Sequence, residues 1–246
     1  MHTTNRLRLV LASASPARRK LLQAAGIEPD VLVSGVDESQ VDPSTPEALS
    51  LTLAQMKART VAGNFGADLN GRDATNTGSG ADSRGESGDK LRTLVLGCDS
   101  VLAFDGEILG KPADADEATR RWQAMRGKSG VLHTGHCLID LLSGREVARV
   151  AATGVYFAEI TDDEIAAYVA TGEPLQVAGA FTIDGLGGPF VDRVDGDPGA
   201  VIGLSLPLFR NLLGELDLRI TDLWADRTAP NGVGFGTGTT AADDPH

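Results

Sequence analysis

Apolar residues along the chain follow two periodicities, which predict strands and helices in turn. Short continuous apolar runs indicate buried strands, whereas apolar positions at helical spacing indicate helices. The predicted strands are residues 7–12, 29–36, 94–97, 101–104, 107–109, 130–140 and 145–157. The predicted helices are residues 16–25, 46–62, 114–125 and 205–216, with another beginning at Thr161. This alternation is typical of the α/β class.

Glycine marks the predicted turns between these elements. Asp105-Gly106 separates two apolar runs by two residues, which is a strong signal for a tight hairpin. Ser143-Gly144 marks the turn of a longer hairpin, and residues 178–191 read as a glycine-rich loop followed by a strand.

Residues 66–90 interrupt the pattern. They are rich in Gly, Asp, Asn, Ser and Thr and almost free of bulky apolar side chains, so they bury too little surface to offset chain entropy. We predict one domain over residues 1–228 with a mobile insertion at 66–90. Residues 229–246 are predicted to form a disordered tail.

The balance of charge excludes one class of partner. With 34 acidic and 22 basic side chains the formal net charge is −12, and general binding to nucleic acid needs a basic surface. No apolar run approaches the roughly 20 residues that span a bilayer, and the N-terminal residues lack the apolar core of a secretory signal. The sequence predicts a cytoplasmic protein with neither nucleic acid nor membrane as partner. A local basic pocket for a small anion remains compatible with this charge.

Cysteine and histidine give little support to a structural metal site. The only two cysteines, Cys98 and Cys137, indicate a reducing compartment and cannot form a zinc site alone. His133 and His136 have ligand-like spacing, but Gly135 and the strand-rich context disfavour a zinc pair.

Residues 13–20 follow the first apolar run and predict an anion site at a helix start. Ser15 suits the N-cap and Pro16 the first helical position, and Arg18 adds positive charge. Free N–H groups beside fixed cations bind phosphate well. A capped surface helix with incidental arginines is the alternative, and this segment alone does not decide between them.

Two carboxylate positions follow predicted strands. Asp99 is placed at the end of the run at 94–97, and Asp37-Glu38 follows the strand at 29–36. Carboxylates at strand ends commonly hold metal or activate water, and Mg²⁺ is satisfied by one or two carboxylates with phosphate oxygens and water. The alternative for Asp99 is a residue that caps the next turn.

Three further charged residues stand out. Lys57 lies on a predicted helix face, where a solvated charge is the ordinary explanation, and Lys111 is held between Gly110 and Pro112. Asp184 is the charge in the centre of the glycine-rich block 172–188, where an Asp-Gly turn is the alternative. Neither a Walker-type phosphate loop nor a Gly-x-Ser-x-Gly nucleophile motif is present.

In order and spacing, these segments resemble the Maf family of nucleoside triphosphate pyrophosphatases, and most of all its actinobacterial branch. The match runs over residues 7–216 and is interrupted at 66–90. The motifs that carry it are Ser13-Ala14-Ser15-Pro16 with Arg18, Val36-Asp37-Glu38, Lys57, Gly97-Cys98-Asp99-Ser100, Gly110-Lys111-Pro112, His133-Thr134-Gly135, Glu173-Pro174, Ala178-Gly179-Ala180-Phe181 and residues 201–207.

The resemblance implies a fold and an activity. The fold is an elongated α/β structure with a curved central mixed sheet and a cleft between two lobes, often found as a homodimer. The activity is hydrolysis of a nucleoside triphosphate to the monophosphate and pyrophosphate with a divalent cation, Mg²⁺ or Mn²⁺. A role in clearing non-standard or modified nucleotides is compatible with it.

The resemblance also implies roles for individual residues. Asp99 matches the proton acceptor, and Glu38 with Asp99 matches the acidic metal-side positions. The positions around the triphosphate are Ser13, Ser15, Arg18, Lys57 and Lys111.

Departures from the family pattern bear on substrate choice. Ala17 replaces the first of two usual arginines, and Val177 replaces a usual lysine. Asp184 and Phe181 stand where the pyrimidine-selective branch has Gln and Tyr. A carboxylate only accepts hydrogen bonds and so matches the donor edge of guanine, which gives the hypothesis of a purine-leaning or broad enzyme. The positions assigned to specificity are Ala17, Ser100 and Asp184.

Two other functions remain open at this level. One is a nucleotide-binding regulator of cell division or septum formation with little turnover. The other is an α/β phosphatase that acts on sugar phosphates and releases orthophosphate rather than pyrophosphate.

Overall fold

The structure, a computed structural model, describes residues 7–38, 41, 45–73 and 92–227. The strands are β1 (Leu7–Leu11), β2 (Asp30–Val31), β3 (Arg92–Phe104), β4 (Glu107–Leu109), β5 (Ser129–Asp140), β6 (Glu146–Phe157) and β7 (Val191–Asp195). The helices are α1 (Pro16–Ala24), α2 (Pro46–Asp73), α3 (Ala115–Met125), α4 (Asp162–Ala170), α5 (Pro198–Ile202) and α6 (Leu206–Glu215).

The described strands form one mixed sheet in the order β2-β1-β3-β5-β6-β7, with β4 also paired to β3. β1 runs parallel to β2 and β3, and the other pairings are antiparallel. The predicted α/β class and mixed central sheet are therefore confirmed. Among the described residues, no helix combines the length and the apolar composition needed to cross a bilayer.

Three hydrophobic clusters hold the helices against the sheet. One packs α1 and α6 on β1, β3 and β5 around Phe209, and a second packs α2 on the opposite face around Ala58. The third lies further along β3, β5 and β6, where α3 and α4 surround Trp122. Because β3 and β5 contribute to all three clusters, they run the length of the molecule through both of its halves.

Local signals in the sequence predicted several boundaries correctly. Asp105 and Gly106 both have positive φ, 50° and 82°, as a two-residue hairpin turn requires. Ser15 caps α1 with Pro16 at its first turn, and Thr161 and Glu164 form a reciprocal capping box at the start of α4.

The structure corrects three of the predicted elements. The runs at 94–97 and 101–104 are one continuous strand, so Asp99 lies in the middle of β3 and not at a strand end. The strand predicted at 29–36 is only β2. The helix predicted to end at residue 62 continues to Asp73, so residues 66–73 of the predicted loop insertion are helical. The rest of that insertion and the tail at 229–246 lie outside the described residues.

The edge of β3 is open where Asp99 lies. On this side β1 pairs with β3 up to Leu96, and β4 pairs with β3 from Leu102 onward. In the described part of the chain, residues 97–101 have a strand partner only on the other side, in β5. We call this segment the edge gap.

Candidate active site

Two glycines bring α2 unusually close to the edge gap. A Cβ added at Gly97 would lie 2.2 Å from the carbonyl oxygen of Ala54, and one at Gly135 would lie 2.1 Å from that of Ser50. Real Cβ atoms do not approach backbone so closely, so only glycine fits at either position. Gly135 pairs directly with Asp99 in the β3–β5 ladder. The helix backbone therefore packs on the sheet beside Asp99.

Lys57 on α2 joins two carboxylates at this point. Its Nζ lies 2.5 Å from Oδ1 of Asp99 and 2.6 Å from Oε1 of Glu38. The side chains of Lys57 and Asp99 are only 13% and 11% exposed, whereas that of Glu38 is 55% exposed. The structure thus brings together a cation and two carboxylates from three distant segments of the chain.

Burial sets the acidity of the Asp99 carboxyl. Removal from water raises the pKa of Asp99 above its ordinary value of 3.8, and the positive charges of Lys57 and Arg18 oppose that rise. A carboxylate with a raised pKa accepts a proton more readily near neutral pH. The neighbouring thiol is a poor nucleophile, because burial raises the pKa of Cys98 to about 12.

Arg18 reaches the edge gap from the other face of the sheet. Its Nη2 donates to Oγ of Ser100 at 3.2 Å, its Nη1 to Oγ of Ser13 at 3.0 Å, and its Nε to the carbonyl oxygen of Gly203 at 2.8 Å. Successive residues of a strand point to opposite faces, so Lys57 meets Asp99 on one face and Arg18 meets Ser100 on the other. The two cations flank the open edge.

The turn between β1 and α1 supplies hydroxyl and backbone donors at the same place. Ser13 is buried, and its Oγ accepts the backbone N–H of Ser15 at 3.2 Å. Ser15 caps α1 by accepting the N–H of Arg18. The positive end of the α1 dipole therefore lies at the turn that carries Ser13, which Arg18 links to Ser100 in the edge gap, and a helix start of this kind favours an anion.

Three of the sequence-predicted residues lie outside this cluster. Lys111 is exposed and follows β4, which ends opposite Leu102. Lys111 therefore lies at the far end of the edge gap, and no contact between it and Asp99 is described. Asp184 is exposed and accepts a hydrogen bond from the hydroxyl of Thr182. Ala17 lies on the partly exposed first turn of α1.

The two histidines of the 133–136 segment do not form a metal pair. His136 is fully buried, with its Nδ1 2.9 Å from the carbonyl oxygen of Thr134 and its Nε2 2.9 Å from the backbone nitrogen of Ser205. Because the N–H of Ser205 donates to Nε2, the ring hydrogen is on Nδ1, and both nitrogens are engaged. His133 is three residues away on a strand and therefore on the other face.

A divalent cation has two carboxylate ligands available here. Asp99 and Glu38 both have an oxygen within 2.6 Å of one ammonium nitrogen, so they already converge on a positive charge. Two carboxylates with phosphate oxygens and water suit Mg²⁺. Among the described residues there is no group of three or more His, Cys, Asp and Glu side chains placed to hold a metal.

Sequence reasoning missed two positions, one beside Ser100 and one that supports the loop of Asp184. Thr134 is fully buried and lies 3.0 Å from Oγ of Ser100. Glu173 accepts hydrogen bonds from Tyr168 and from the N–H groups of Leu186 and Gly187, which hold the loop that carries Asp184. The strand register that gives Thr134 its contact and the loop packing that gives Glu173 its hydrogen bonds are not visible in a single sequence.

Comparison with known proteins gives a consistent set of relatives. A family model described as a Maf-like protein matches residues 8–216. A protein of Salinispora tropica named nucleoside triphosphate pyrophosphatase is 58% identical over 98% of this chain and 96% of its own length. Proteins with the same name from Streptomyces coelicolor and Nostoc punctiforme are 56% and 51% identical, over 89% and 87% of this chain and 96% of their own lengths.

A solved structure is also similar, at a greater distance. It is a nucleoside-triphosphatase / dITP/XTP pyrophosphatase of Mycobacterium abscessus, 17% identical, which covers 62% of this chain and 75% of its own with a TM-score of 0.29. This likeness is too distant to bear on the site.

Proposed function

The chain belongs to the Maf-like protein family, and we propose on that basis that it hydrolyses nucleoside triphosphates to nucleoside monophosphate and pyrophosphate. The edge gap is the observation that supports a role for particular residues. There Lys57 and Arg18 approach from opposite faces of the sheet, beside the buried carboxylate of Asp99. The curated relatives named above carry the name of this activity over nearly their whole lengths.

The reaction needs a water molecule, a base and a set of cations. Water attacks the α-phosphorus, its proton passes to a carboxylate, and the bond from the α-phosphorus to the bridging oxygen breaks as pyrophosphate leaves. Negative charge spreads over the phosphoryl oxygens in the transition state, so positioned cations supply much of the acceleration. Asp99 takes the role of base, which its raised pKa favours.

The triphosphate is assigned to donors on both sides of the edge gap. Arg18, Ser13 and Ser15 bind phosphate oxygens at the start of α1, and Lys57 binds them from α2. Lys111 completes the set at the far end of the edge gap, where it is exposed and free to reach a bound nucleotide. Release of Lys57 from Asp99 on nucleotide binding leaves that carboxylate able to accept a proton.

Glu38 and Asp99 are the residues that would hold a divalent cation. Such an ion neutralises charge on the triphosphate when it is bound. The cytoplasmic location and the homodimer stay predictions from the sequence and the family resemblance.

Asp184 is assigned to base selection. Its carboxylate is exposed on a loop that Glu173 holds in place. One carboxylate oxygen accepts the hydroxyl of Thr182. An acceptor at this position favours the N1–H and N2–H₂ groups of guanine over pyrimidines.

Product analysis on a nucleotide panel tests the proposal. Standard and modified nucleoside triphosphates are incubated with the protein and Mg²⁺ or Mn²⁺, and monophosphate, pyrophosphate and orthophosphate are measured separately. We expect equal amounts of monophosphate and pyrophosphate. Orthophosphate as the first product would support the sugar-phosphate phosphatase instead, and binding without any release would support the nucleotide-binding regulator.

A further inference from the structure

A chain of hydrogen bonds connects Arg18 through Ser100 and Thr134 to Ala200, and the number of hydroxyl hydrogens fixes which group donates at each step. The hydroxyl of Thr134 has one hydrogen, and it donates this to the carbonyl oxygen of Ala200 at 2.8 Å, because a carbonyl can only accept. The contact between Oγ of Ser100 and Oγ1 of Thr134, at 3.0 Å, must then use the hydrogen of Ser100. Ser100 therefore donates and Thr134 accepts.

The direction of the bond between Ser100 and Arg18 is fixed in the same way. Since the hydrogen of Ser100 is committed to Thr134, the oxygen of Ser100 is left as an acceptor, and Nη2 of Arg18 donates to it. The chain of bonds has one direction, from Arg18 through Ser100 and Thr134 to Ala200. Each hydroxyl in it has its only hydrogen in use, which leaves Ser100 unable to donate to a substrate.

The hydroxyl of Ser13, unlike that of Ser100, keeps its hydrogen available. Its oxygen accepts two hydrogen bonds, from Nη1 of Arg18 and from the backbone N–H of Ser15. No described residue accepts the hydrogen of Ser13. Of the two hydroxyls that touch Arg18, only this one has a hydrogen left for a phosphate oxygen.

Arg18 is left with a defined set of free donors. A guanidinium has five N–H groups, and the described bonds to Ser13, Ser100 and Gly203 use three of them. One N–H on each terminal nitrogen remains. Each is a charged donor of the kind that binds a phosphate oxygen.

We infer that Thr134 is a positioning residue for phosphate binding, which acts through Ser100 to fix the plane of the Arg18 guanidinium; this inference rests on the proposed function. Thr134 is fully buried and cannot touch the substrate. Its place is fixed by β5, where it pairs with Ser100, and by the ring of His136, which donates to its carbonyl oxygen. Ser100 is accordingly assigned to Arg18 and not to base selection.

The test compares variants that separate the hydroxyl from the methyl group. Thr134→Val removes the hydroxyl and keeps the volume, whereas Thr134→Ser keeps the hydroxyl and loses a methyl group. Thr153→Val is the matched control, because Thr153 is also a buried threonine that donates to a backbone carbonyl, that of Asp197, and no hydrogen bond is described between it and Arg18 or Ser100. For each protein, KM and kcat for GTP hydrolysis are measured, and binding of inorganic pyrophosphate is measured by calorimetry.

We expect Thr134→Val to raise KM and weaken pyrophosphate binding by about tenfold, with a change in kcat of less than about threefold. Thr134→Ser and Thr153→Val should stay within about twofold of the parent protein. Ser100→Ala should match Thr134→Val, and the double variant should be no worse than either, because both break one chain of bonds. Ser100→Ala also decides the matter if Thr134→Val does not fold.

Three results would overturn the inference. These are an equal loss in Thr134→Ser and Thr134→Val, additive losses in the double variant, or no binding of pyrophosphate by the parent protein. Failure of the proposed function is a separate result. In that case no nucleotide yields pyrophosphate, while the ratio of pyrophosphate affinities between variants still decides the role of Thr134.

Discussion

The ammonium of Lys57 lies 2.5 Å from the carboxylate of Asp99, with the carboxylate of Glu38 on its other side at 2.6 Å. One positive charge thus neutralises part of two negative charges in a largely buried position. A buried ion pair adds little net stability while it is intact, but loss of one partner leaves the other charge buried and uncompensated. In the proposed reaction, a nucleotide that draws Lys57 to its phosphates also frees the carboxylate of Asp99 to accept a proton.

Asp99→Asn should abolish most turnover without unfolding the protein. The amide has the same shape but accepts no proton, so we expect pyrophosphate release to fall by about 10²–10⁴-fold. Because Lys57 keeps Glu38 as a partner and burial disfavours the charged carboxylate, the midpoint of thermal unfolding should not drop by more than a few degrees. The measurement pairs single-turnover pyrophosphate release with calorimetry, and full-rate release in the variant would remove Asp99 from the role of base.

Glu38→Gln should weaken the binding of metal more than it destabilises the fold. The amide is a poorer ligand for Mg²⁺ than a carboxylate, so the Mg²⁺ concentration for half-maximal activity should rise severalfold. Glu28→Gln is the matched control, since Glu28 is an exposed glutamate paired with Arg19 and Gln23 away from Asp99. Equal metal titrations for both variants would contradict a metal-side role for Glu38.

Gly97→Ala should destabilise the protein and displace the helix that carries Lys57. The added methyl group meets the backbone of α2, which cannot move aside as a side chain tip can, so we expect a loss of about 2–3 kcal/mol in the free energy of unfolding. Gly63→Ala on the same helix meets nothing within 4 Å and should stabilise by about 0.5–1 kcal/mol. Urea unfolding of both variants measures the two effects, and equal effects would refute the close approach at Gly97.

His136 should make the folded state sensitive to mild acid. Burial lowers the pKa of His136 from 6.5 to about 4, so between these values the unfolded chain binds a proton that the folded chain does not. Stability from the neutral ring is complete above pH 6.5 and is lost as pH falls toward 4, on the order of 3 kcal/mol in all.

The slope of unfolding free energy against pH in this window isolates that contribution. His136→Gln should be less stable than the parent at pH 7 because it loses the bonds to Thr134 and Ser205. Its slope between pH 6.5 and 4 should nonetheless be shallower, since no imidazole titrates. Parallel curves for the two proteins would show that other groups cause the acid sensitivity.

Asp184 should bias the enzyme toward guanine nucleotides. We expect kcat/KM for GTP or 7-methyl-GTP to exceed that for dTTP and UTP, and Asp184→Asn to narrow the ratio because an amide offers a donor as well as an acceptor. Asp192→Asn, a change at another exposed aspartate on β7, should leave the ratio unchanged. A clear preference of the parent protein for dTTP and UTP would refute the purine hypothesis.

Signals contained within a few residues were predictable from the sequence. The Asp105-Gly106 turn, the Ser15 cap and the Thr161 capping box depend only on local backbone preferences, and all three are present. The polar interruption around Asp99 suggested a strand end instead of a strand centre. Side-chain polarity does not break a strand whose backbone is paired with β5 from Leu94 to Ala103.

Contacts between distant segments could not be predicted from the residues alone. Lys57 reads as an ordinary helix charge until Gly97 and Gly135 bring α2 onto the sheet. Thr134 gains its partner only through the register of β3 on β5, which pairs it with Ser100. The family resemblance suggested that Lys57 lies beside the triphosphate, and the close approach of α2 to the sheet gives the physical reason for its position.

The continuity of β3 through both halves of the molecule limits which positions can change without affecting the fold. Backbone amides of β3 that pair with β5 exchange with solvent only when a large part of the domain opens, whereas those of residues 97–101 that face the edge gap have no strand partner among the described residues. Asp99 and Ser100 are on such a strand, so the most persistent part of the scaffold also carries the candidate base. A change that disturbs the pairing of this strand with β5 alters catalysis and folding together, whereas a change that keeps the side-chain shape, such as Asp99→Asn, alters mainly catalysis. Adaptation to new nucleotides is easier on the loops that surround the strand.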